Sequence, residues 1–340
     1  MPADPARLPA FDPAFAMEAR TRIDMPVKYR LNPHEKEVRY SSLERVLHFG
    51  IIPDTQESRR KLLNYDFANL CSVFFPTISR HQLEVAVDLM YFFFVYDDIC
   101  DNFDCVSDPT VEPYIRKIEG GFFEVLDGRD LSAGEEPFAR LLCSILSRCK
   151  AFSHPGWYKR FCIAMRNYLE AVRWERKIRS SGEAATYNTY EKMRSLSAGV
   201  VPCFYFATTC LCKDSPENIT NNAYLIELLR MATIHVQSVN DFFSMAKDIR
   251  DCTGDNIVVV LAKERELSWP EAIECSLDLI NKEMKAFLSL ESKLEDMMGP
   301  MDRDVVKVVE SMKHLMRGNR DWCGSSGRYR DINSYVESSA

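Results

Sequence analysis

Glycine is scarce in this chain, 13 residues of 340, and no glycine-rich loop of the kind that grips a nucleotide occurs. An organic nucleotide cofactor is therefore not expected. Positive charge is also in deficit, with 43 Lys and Arg against 50 Asp and Glu and a net charge of -7. Nucleic acid needs a basic face, so it is not an expected partner. No apolar run approaches the roughly 20 residues that cross a bilayer; the longest are Leu89 to Tyr96 and Gly199 to Cys212. The first 17 residues carry Asp4, Asp12 and four prolines and lack the apolar stretch of a secretory signal. A cytoplasmic location is the expectation. The 12 cysteines include no CxxC pair, and Cys210 and Cys212 have no partners at zinc-site spacing, so they read as reduced core residues.

What is present is a soluble globular balance, 46% apolar and 27% charged. Apolar residues recur at three and four spacing over 83–100, 158–178, 184–209 and 217–249, which predicts helices there. Ser268 with Glu271 reads as a capping box, and Pro270 is tolerated in the first turn. The β-branched run Ile257 to Leu261 is the strongest strand signal, but its flanks suit a helix better. Breaks at Pro76, Asp108-Pro109, Asp127-Gly128, His154-Pro155-Gly156, Ser181-Gly182 and Gly299-Pro300 cut the chain into roughly ten helices. The fold class is all-α, a single large helical bundle whose centre the surrounding helices can line. Residues 1–25 read as a flexible N-terminal arm and residues 26–335 as one domain, a monomer or homodimer.

Two constellations carry chemistry. Asp97-Asp98-Ile99-Cys100-Asp101 follows directly on an aromatic helix run. Positions i and i+4 share a helix face, so Asp97 and Asp101 point together and Asp98 is turned about 100° away. Paired carboxylates suit magnesium, which completes its shell with water and substrate phosphate. The plain alternative is a solvated acidic helix end, which the helix dipole disfavours. Phe93 and Phe94 lie four and three residues before Asp97 and should project below it into a cavity; Phe92 should face elsewhere. In the second constellation, Asn240, Ser244 and Asp248 are spaced i, i+4, i+8 and stack three oxygen donors in one stripe. Lys247 beside the stripe is a candidate phosphate donor. Asp241 lies off the stripe, so its loss is expected to matter far less than that of Asn240. His235 reads as a packed helix histidine.

Together, Asp97-Asp98-x-x-Asp101 and Asn240-Asp241-x-x-Ser244-x-x-Lys247-Asp248 resemble the paired metal motifs of the class I terpene synthases, the fungal and bacterial type with a single α domain. Motif order, separation and chain length are similar too. Further matches are Gly254-Asp255-Asn256, Gly318-Asn319-x-x-Trp322, the pair Arg328-Tyr329, and Arg194, placed where the family has its diphosphate-sensing arginine. The chain departs from the family in carrying Ser197 and Ala198 where an acid and a glycine usually follow that arginine, and in ending the second motif with Asp248 rather than glutamate.

The resemblance implies an all-α terpene cyclase domain over residues 26–335 and a linear prenyl diphosphate substrate, farnesyl diphosphate by default. It implies three magnesium ions, with manganese able to substitute: two on Asp97 and Asp101, the third on Asn240, Ser244 and Asp248. Arg194, Lys247, Arg328 and Tyr329 would donate to the diphosphate, a role that suits the planar guanidinium. Asp98 would hold Arg328 in the closed state. The competing readings are a cyclase of geranylgeranyl diphosphate, a chain-elongating prenyl diphosphate synthase, which would carry a second aspartate-rich motif where Asn240 and Ser244 stand, and a non-catalytic helical binding module.

Overall fold

A computed structural model describes residues 11–104, 111–131, 135–181, 185–250, 255–299 and 301–329. Asp108-Pro109, Gly182 and Pro300 lie outside the described residues, as does the side chain of Asp101. The chain opens with α1 Pro13–Thr21, α2 Glu35–Phe49, α3 Gln56–Tyr65 and α4 Phe67–Phe74. Next come α5 Arg80–Asp104, α6 Val111–Leu126, α7 Pro137–Phe152 and α8 Pro155–Ser181. Then follow α9 Tyr187–Ser197, α10 Val200–Leu211, α11 Glu217–Thr220 and α12 Ala223–Arg250. The last are α13 Ile257–Glu264, α14 Trp269–Glu291, α15 Leu294–Met298 and α16 Arg303–Ser325, closed by a 3-10 turn at Gly327–Tyr329. Among the described residues there is no strand, in keeping with the all-α reading.

Local signals act where the residues predict. Glu271 accepts hydrogen bonds from the Ser268 N–H at 2.9 Å and its hydroxyl at 2.6 Å, which starts α14. The β-branched run 257–261 is helical because Asn256 caps α13, accepting from the Val258 N–H at 2.9 Å. Two predicted helices are each broken in two. Over 184–209 the chain separates α9 from α10 at Gly199, whose φ of 72° is left-handed. Pro202 supports the break, because it lacks an N–H and its ring excludes a helical carbonyl at residue 198. Over 217–249, Asn222 starts α12 anew by accepting from the N–H groups of Tyr224 and Leu225 at 3.0 and 3.2 Å.

Within the segment read as a flexible arm, Pro13–Thr21 forms α1, capped by Asp12. Its Ala16 and Ala19 are buried, and the helix packs on α14 and α12. Small side chains on one face permit that close approach. Residues 1–10 lie outside the described residues.

The bundle is built around α12, which packs against α14 and α16, while α10 lies against α8 and α16. Helix α5 brings its aromatic run into this centre from the side of α2, α4 and α7. Phe92 is fully buried on the outer face of α5, with Phe122 at 4.9 Å and Phe138 at 6.3 Å between ring centroids. On the other side α16 crosses α4 so closely that a Cβ on Gly318 would stand 2.5 Å from Phe74 Cδ1 and 3.2 Å from the Phe74 backbone nitrogen. Alanine in a helix normally gains about 1 kcal/mol over glycine. Here the sign should reverse: Gly318→Ala is expected to destabilise by about 1–3 kcal/mol through overpacking, read as a lower midpoint in thermal unfolding. A raised midpoint would show that the α4–α16 contact yields without strain.

Candidate active site

The last turns of α5 carry the chain from a greasy wall to a polar mouth. Phe93 and Phe94 line an apolar chamber with about 710 Å³ of free space, whose wall also includes Leu70, Phe74, Met90 and Leu315. Phe92 turns away from it, as the helical spacing predicts. Asp97, one turn above Phe93, lies at the top of this chamber and also borders a second, polar one of about 540 Å³. Phe94, Asp97, Arg194 and Asn240 border both chambers, so the two meet there. Asn240, Ser244, Lys247 and Asp248, all on α12, face the polar chamber together with Arg328 and Tyr329.

The stripe on α12 is held from behind. Ser244 Oγ donates to Asp248 at 2.5 Å, and Asn256 Nδ2 donates to the same Asp248 oxygen at 2.8 Å and to the Asp241 carbonyl at 2.6 Å. Asn240 Nδ2 donates to Tyr329 Oη at 3.0 Å, which leaves its carbonyl oxygen as the end that can bind a cation. Among the described residues no three His, Cys, Asp or Glu side chains are close enough to hold an ion. Two of the three α12 donors are an amide and a hydroxyl, and the Asp101 side chain is not described. Carboxylate, amide and hydroxyl oxygens on one wall nevertheless fit a hard divalent cation by donor type.

Arg194 reaches the junction of the chambers from α9. Its Nε and Nη2 donate to Asp241 Oδ1 at 3.1 and 2.9 Å, and Nη1 lies 4.0 Å from Glu175. The other Asp241 oxygen accepts from Tyr190 Oη at 2.5 Å and from the Ile257 N–H at 3.2 Å. Burial pushes the Asp241 carboxyl up to about 6, with Arg194 opposing the rise. Asp241 is off the metal stripe, as helical spacing requires, yet the expectation that it matters little is corrected. It is 1% exposed and ties α9, α12 and α13 together. The sequence signal available was its apolar company, Val239, Phe242 and Phe243, since an aspartate in a buried stretch needs a charged partner.

The C-terminal turn brings Arg328 over the first motif. Its Nη1 donates to Asp98 at 2.6 Å and its Nη2 to Asp97 at 3.2 Å, while the guanidinium lies over the rings of Phe94 and Tyr65. Lys61 Nζ is 3.0 Å from the second Asp98 oxygen. Burial pushes the Asp98 carboxyl up, but Arg328 and Lys61 outweigh it and hold it below the usual range. The turn is pinned by Trp322 Nε1 and Ser326 Oγ, which both donate to the Tyr65 carbonyl, at 2.5 and 3.1 Å. Lys61, Tyr65, Tyr190 and Glu175 complete the site although no motif in the sequence includes them, and Asn256, from the Gly254-Asp255-Asn256 match, serves as a hydrogen-bond donor behind the stripe. Spacing along one helix cannot report them.

His235 is wholly buried, its ring nitrogens have no partner among the described residues, and burial pushes it down to about 3. It is a neutral packed side chain outside both chamber walls.

Similarity to known proteins agrees with this geometry. Residues 88–286 match the family model described as terpene synthase family 2, C-terminal metal binding. Germacrene A synthase of Nostoc punctiforme is 24% identical over 308 residues, spanning 90% of this chain and 94% of its own. The (+)-T-muurolol synthase of Roseiflexus castenholzii, which cyclises (2E,6E)-farnesyl diphosphate, is 26% identical over 310 residues, 91% of this chain and 94% of its own. The crystal structure of an α-eudesmol synthase has the same fold, with a TM-score of 0.79 at 18% identity over 89% of this chain and 99% of that one. A metal-binding family match spanning well over half of the chain implies dependence on a divalent metal. With that match laid over a polar chamber that opens onto an apolar one, the chain belongs to terpene synthase family 2 and is a class I terpene synthase.

Proposed function

We propose that this protein is a sesquiterpene cyclase that ionises farnesyl diphosphate with the help of magnesium, folds the cation into a ring and releases diphosphate. The observation that carries this reading is the junction of the two chambers. A prenyl diphosphate is a charged head on a hydrocarbon tail, and the residues bordering both spaces, Asp97, Arg194, Asn240 and Phe94, stand where the bond between head and tail would lie. The apolar chamber has the usual make-up of a small-molecule site, an apolar and aromatic wall with a few polar groups. Farnesyl diphosphate is also the substrate in the name of the T-muurolol synthase relative.

In this reading Asp97 and Asp101 hold two ions, and Asn240, Ser244 and Asp248 hold a third, with manganese able to substitute. Metal held by these residues would supply positive charge to the leaving diphosphate, so that the carbon–oxygen bond could break without an acid. Arg194, Lys247, Arg328 and Tyr329 bind the diphosphate oxygens and orient them. Asp241 fixes the Arg194 fork and Asp98 fixes that of Arg328, so neither guanidinium has to be ordered when substrate arrives. Phe93 and Phe94 present ring faces that favour a cation and exclude water. The paired readings from sequence differ here: a chain-elongating synthase needs a second carboxylate cluster, and α12 offers an amide and a hydroxyl instead.

Three outcomes test this assignment. Diphosphate release from farnesyl diphosphate should vanish on exhaustive chelation and return with magnesium or manganese; release in chelator would sink the metal reading. Asn240→Ala should lower turnover by about 10²–10³-fold, the scale for losing one preorganised charge-stabilising group, with little change in the unfolding midpoint. Asp241→Ala should lose activity and about 3–5 kcal/mol of stability, because it removes the buried acceptor of Tyr190 and of the Ile257 N–H and leaves the part-buried Arg194 with Glu175 alone; circular dichroism melts separate the two variants. Finally, Phe94→Ala should alter the product mixture seen by gas chromatography, whereas Phe92→Ala should keep the mixture and lose about 3–5 kcal/mol of stability. The reverse pattern would place the cavity on the other face of α5.

A further inference from the structure

Gln237 stands one helical turn before Asn240 on α12 and lines the apolar chamber. It is 1% exposed, and among the described residues neither Oε1 nor Nε2 has a hydrogen-bond partner. Ser197 Oγ, on the wall formed at the α9–α10 break, is likewise buried without a partner and lines the same chamber. Burying a polar group of this kind unmet is costly, and a leucine of similar shape would avoid the cost. A wall that only had to fold a hydrocarbon would not carry them. Asn319, a further amide on this wall, differs: its Nδ2 donates to the Val236 carbonyl at 2.9 Å and its Oδ1 accepts from the Cys323 thiol at 3.7 Å. Its needs are met inside the protein, whereas those of Gln237 and Ser197 point to a guest.

A prenyl tail has neither donor nor acceptor, so it cannot be that guest. Water can, because it requires two to four polar contacts and an amide with a hydroxyl offers three groups. Resting on the cyclase reading above, we propose that Gln237, with Ser197 as a second contact, holds one water in the apolar chamber, and that this water captures the cyclised cation to give a terpene alcohol. The step balances without oxidant or reductant. A lone pair of the water oxygen forms the new C–O bond to the cationic carbon. The resulting oxonium loses one proton to the released diphosphate, the strongest base in the cavity, which is bound around Asn240 one turn away from Gln237. Gln237 acts here by orienting the water with its carbonyl oxygen and steadying it with its amide N–H groups.

The test uses the full chain with farnesyl diphosphate and magnesium in ¹⁸O-labelled water, following diphosphate release and identifying volatiles by mass spectrometry. The wild-type protein should yield a cyclic alcohol bearing ¹⁸O as its main product. Gln237→Leu should lower the ratio of cyclic alcohol to cyclic hydrocarbon about tenfold or more, the equivalent of one lost hydrogen bond in the capturing step; Ser197→Ala should lower it less. The ratio is read per product formed, so it does not depend on how much variant folds, and a purely structural role would leave it unmoved. Diphosphate release by the wild type with only hydrocarbon products would overturn the water site and leave the cyclase reading intact. An unchanged ratio in Gln237→Leu would remove Gln237 from the step. No diphosphate release from farnesyl or geranylgeranyl diphosphate would overturn both.

Discussion

The buried pair between Arg194 and Asp241 sets the terms for the rest of the site. The carboxylate is wholly buried and the guanidinium partly so, 1% and 18% exposed, and a buried carboxylate is stable only with close geometry and full hydrogen bonding. Asp241 meets this by accepting from Arg194, from Tyr190 and from the first N–H of α13. The pair therefore fixes how α9, α12 and α13 approach one another. It also decides which side of α12 is free: once Asp241 is committed inward, Asn240, Ser244 and Asp248 must face the polar chamber. One carboxylate thus determines the register of the stripe that would meet the metal.

A similar economy operates at the mouth. Asp98 is bracketed by Arg328 and Lys61, so its charge is already spent within the protein, while Asp97 keeps almost half its side-chain surface open. Adjacent residues of the same type acquire different tasks because helical geometry turns them about 100° apart. The aromatic rings beneath do two jobs at once. Phe94 stacks on Phe67 as part of the core and carries Arg328 over its face while closing the apolar chamber.

Much of this was legible in the chain because helices report their own faces. The run from Phe92 to Asp101 announced a wall with a polar rim, and the stripe Asn240, Ser244, Asp248 follows from the 3.6-residue period alone. The capping box at Ser268 and the helical state of 257–261 were readable for the same reason. What spacing along one helix cannot report is company from another. Tyr190, Glu175 and Lys61 come from other helices, and the partners that bury Asp241 lie 47 and 51 positions away, beyond the reach of a periodicity read along α12. The break at Gly199 was hidden for a different cause. Apolar periodicity runs straight through it, and only the combination of a left-handed glycine with Pro202 interrupts the hydrogen-bond ladder.

The pinning of the C-terminal turn to the Tyr65 carbonyl bears on biosynthesis. Asp98 and Arg328 are 230 positions apart, so for most of synthesis α5 exists and its C-terminal partner does not. During that interval Asp98 has only Lys61 and Tyr65, and Asn240 lacks Tyr329. A chain released early, or clipped before Arg328, would therefore present a folded scaffold with an unfinished mouth. Competence therefore arrives with the short turn after α16, once the helices that hold the scaffold together, α16 included, are in place.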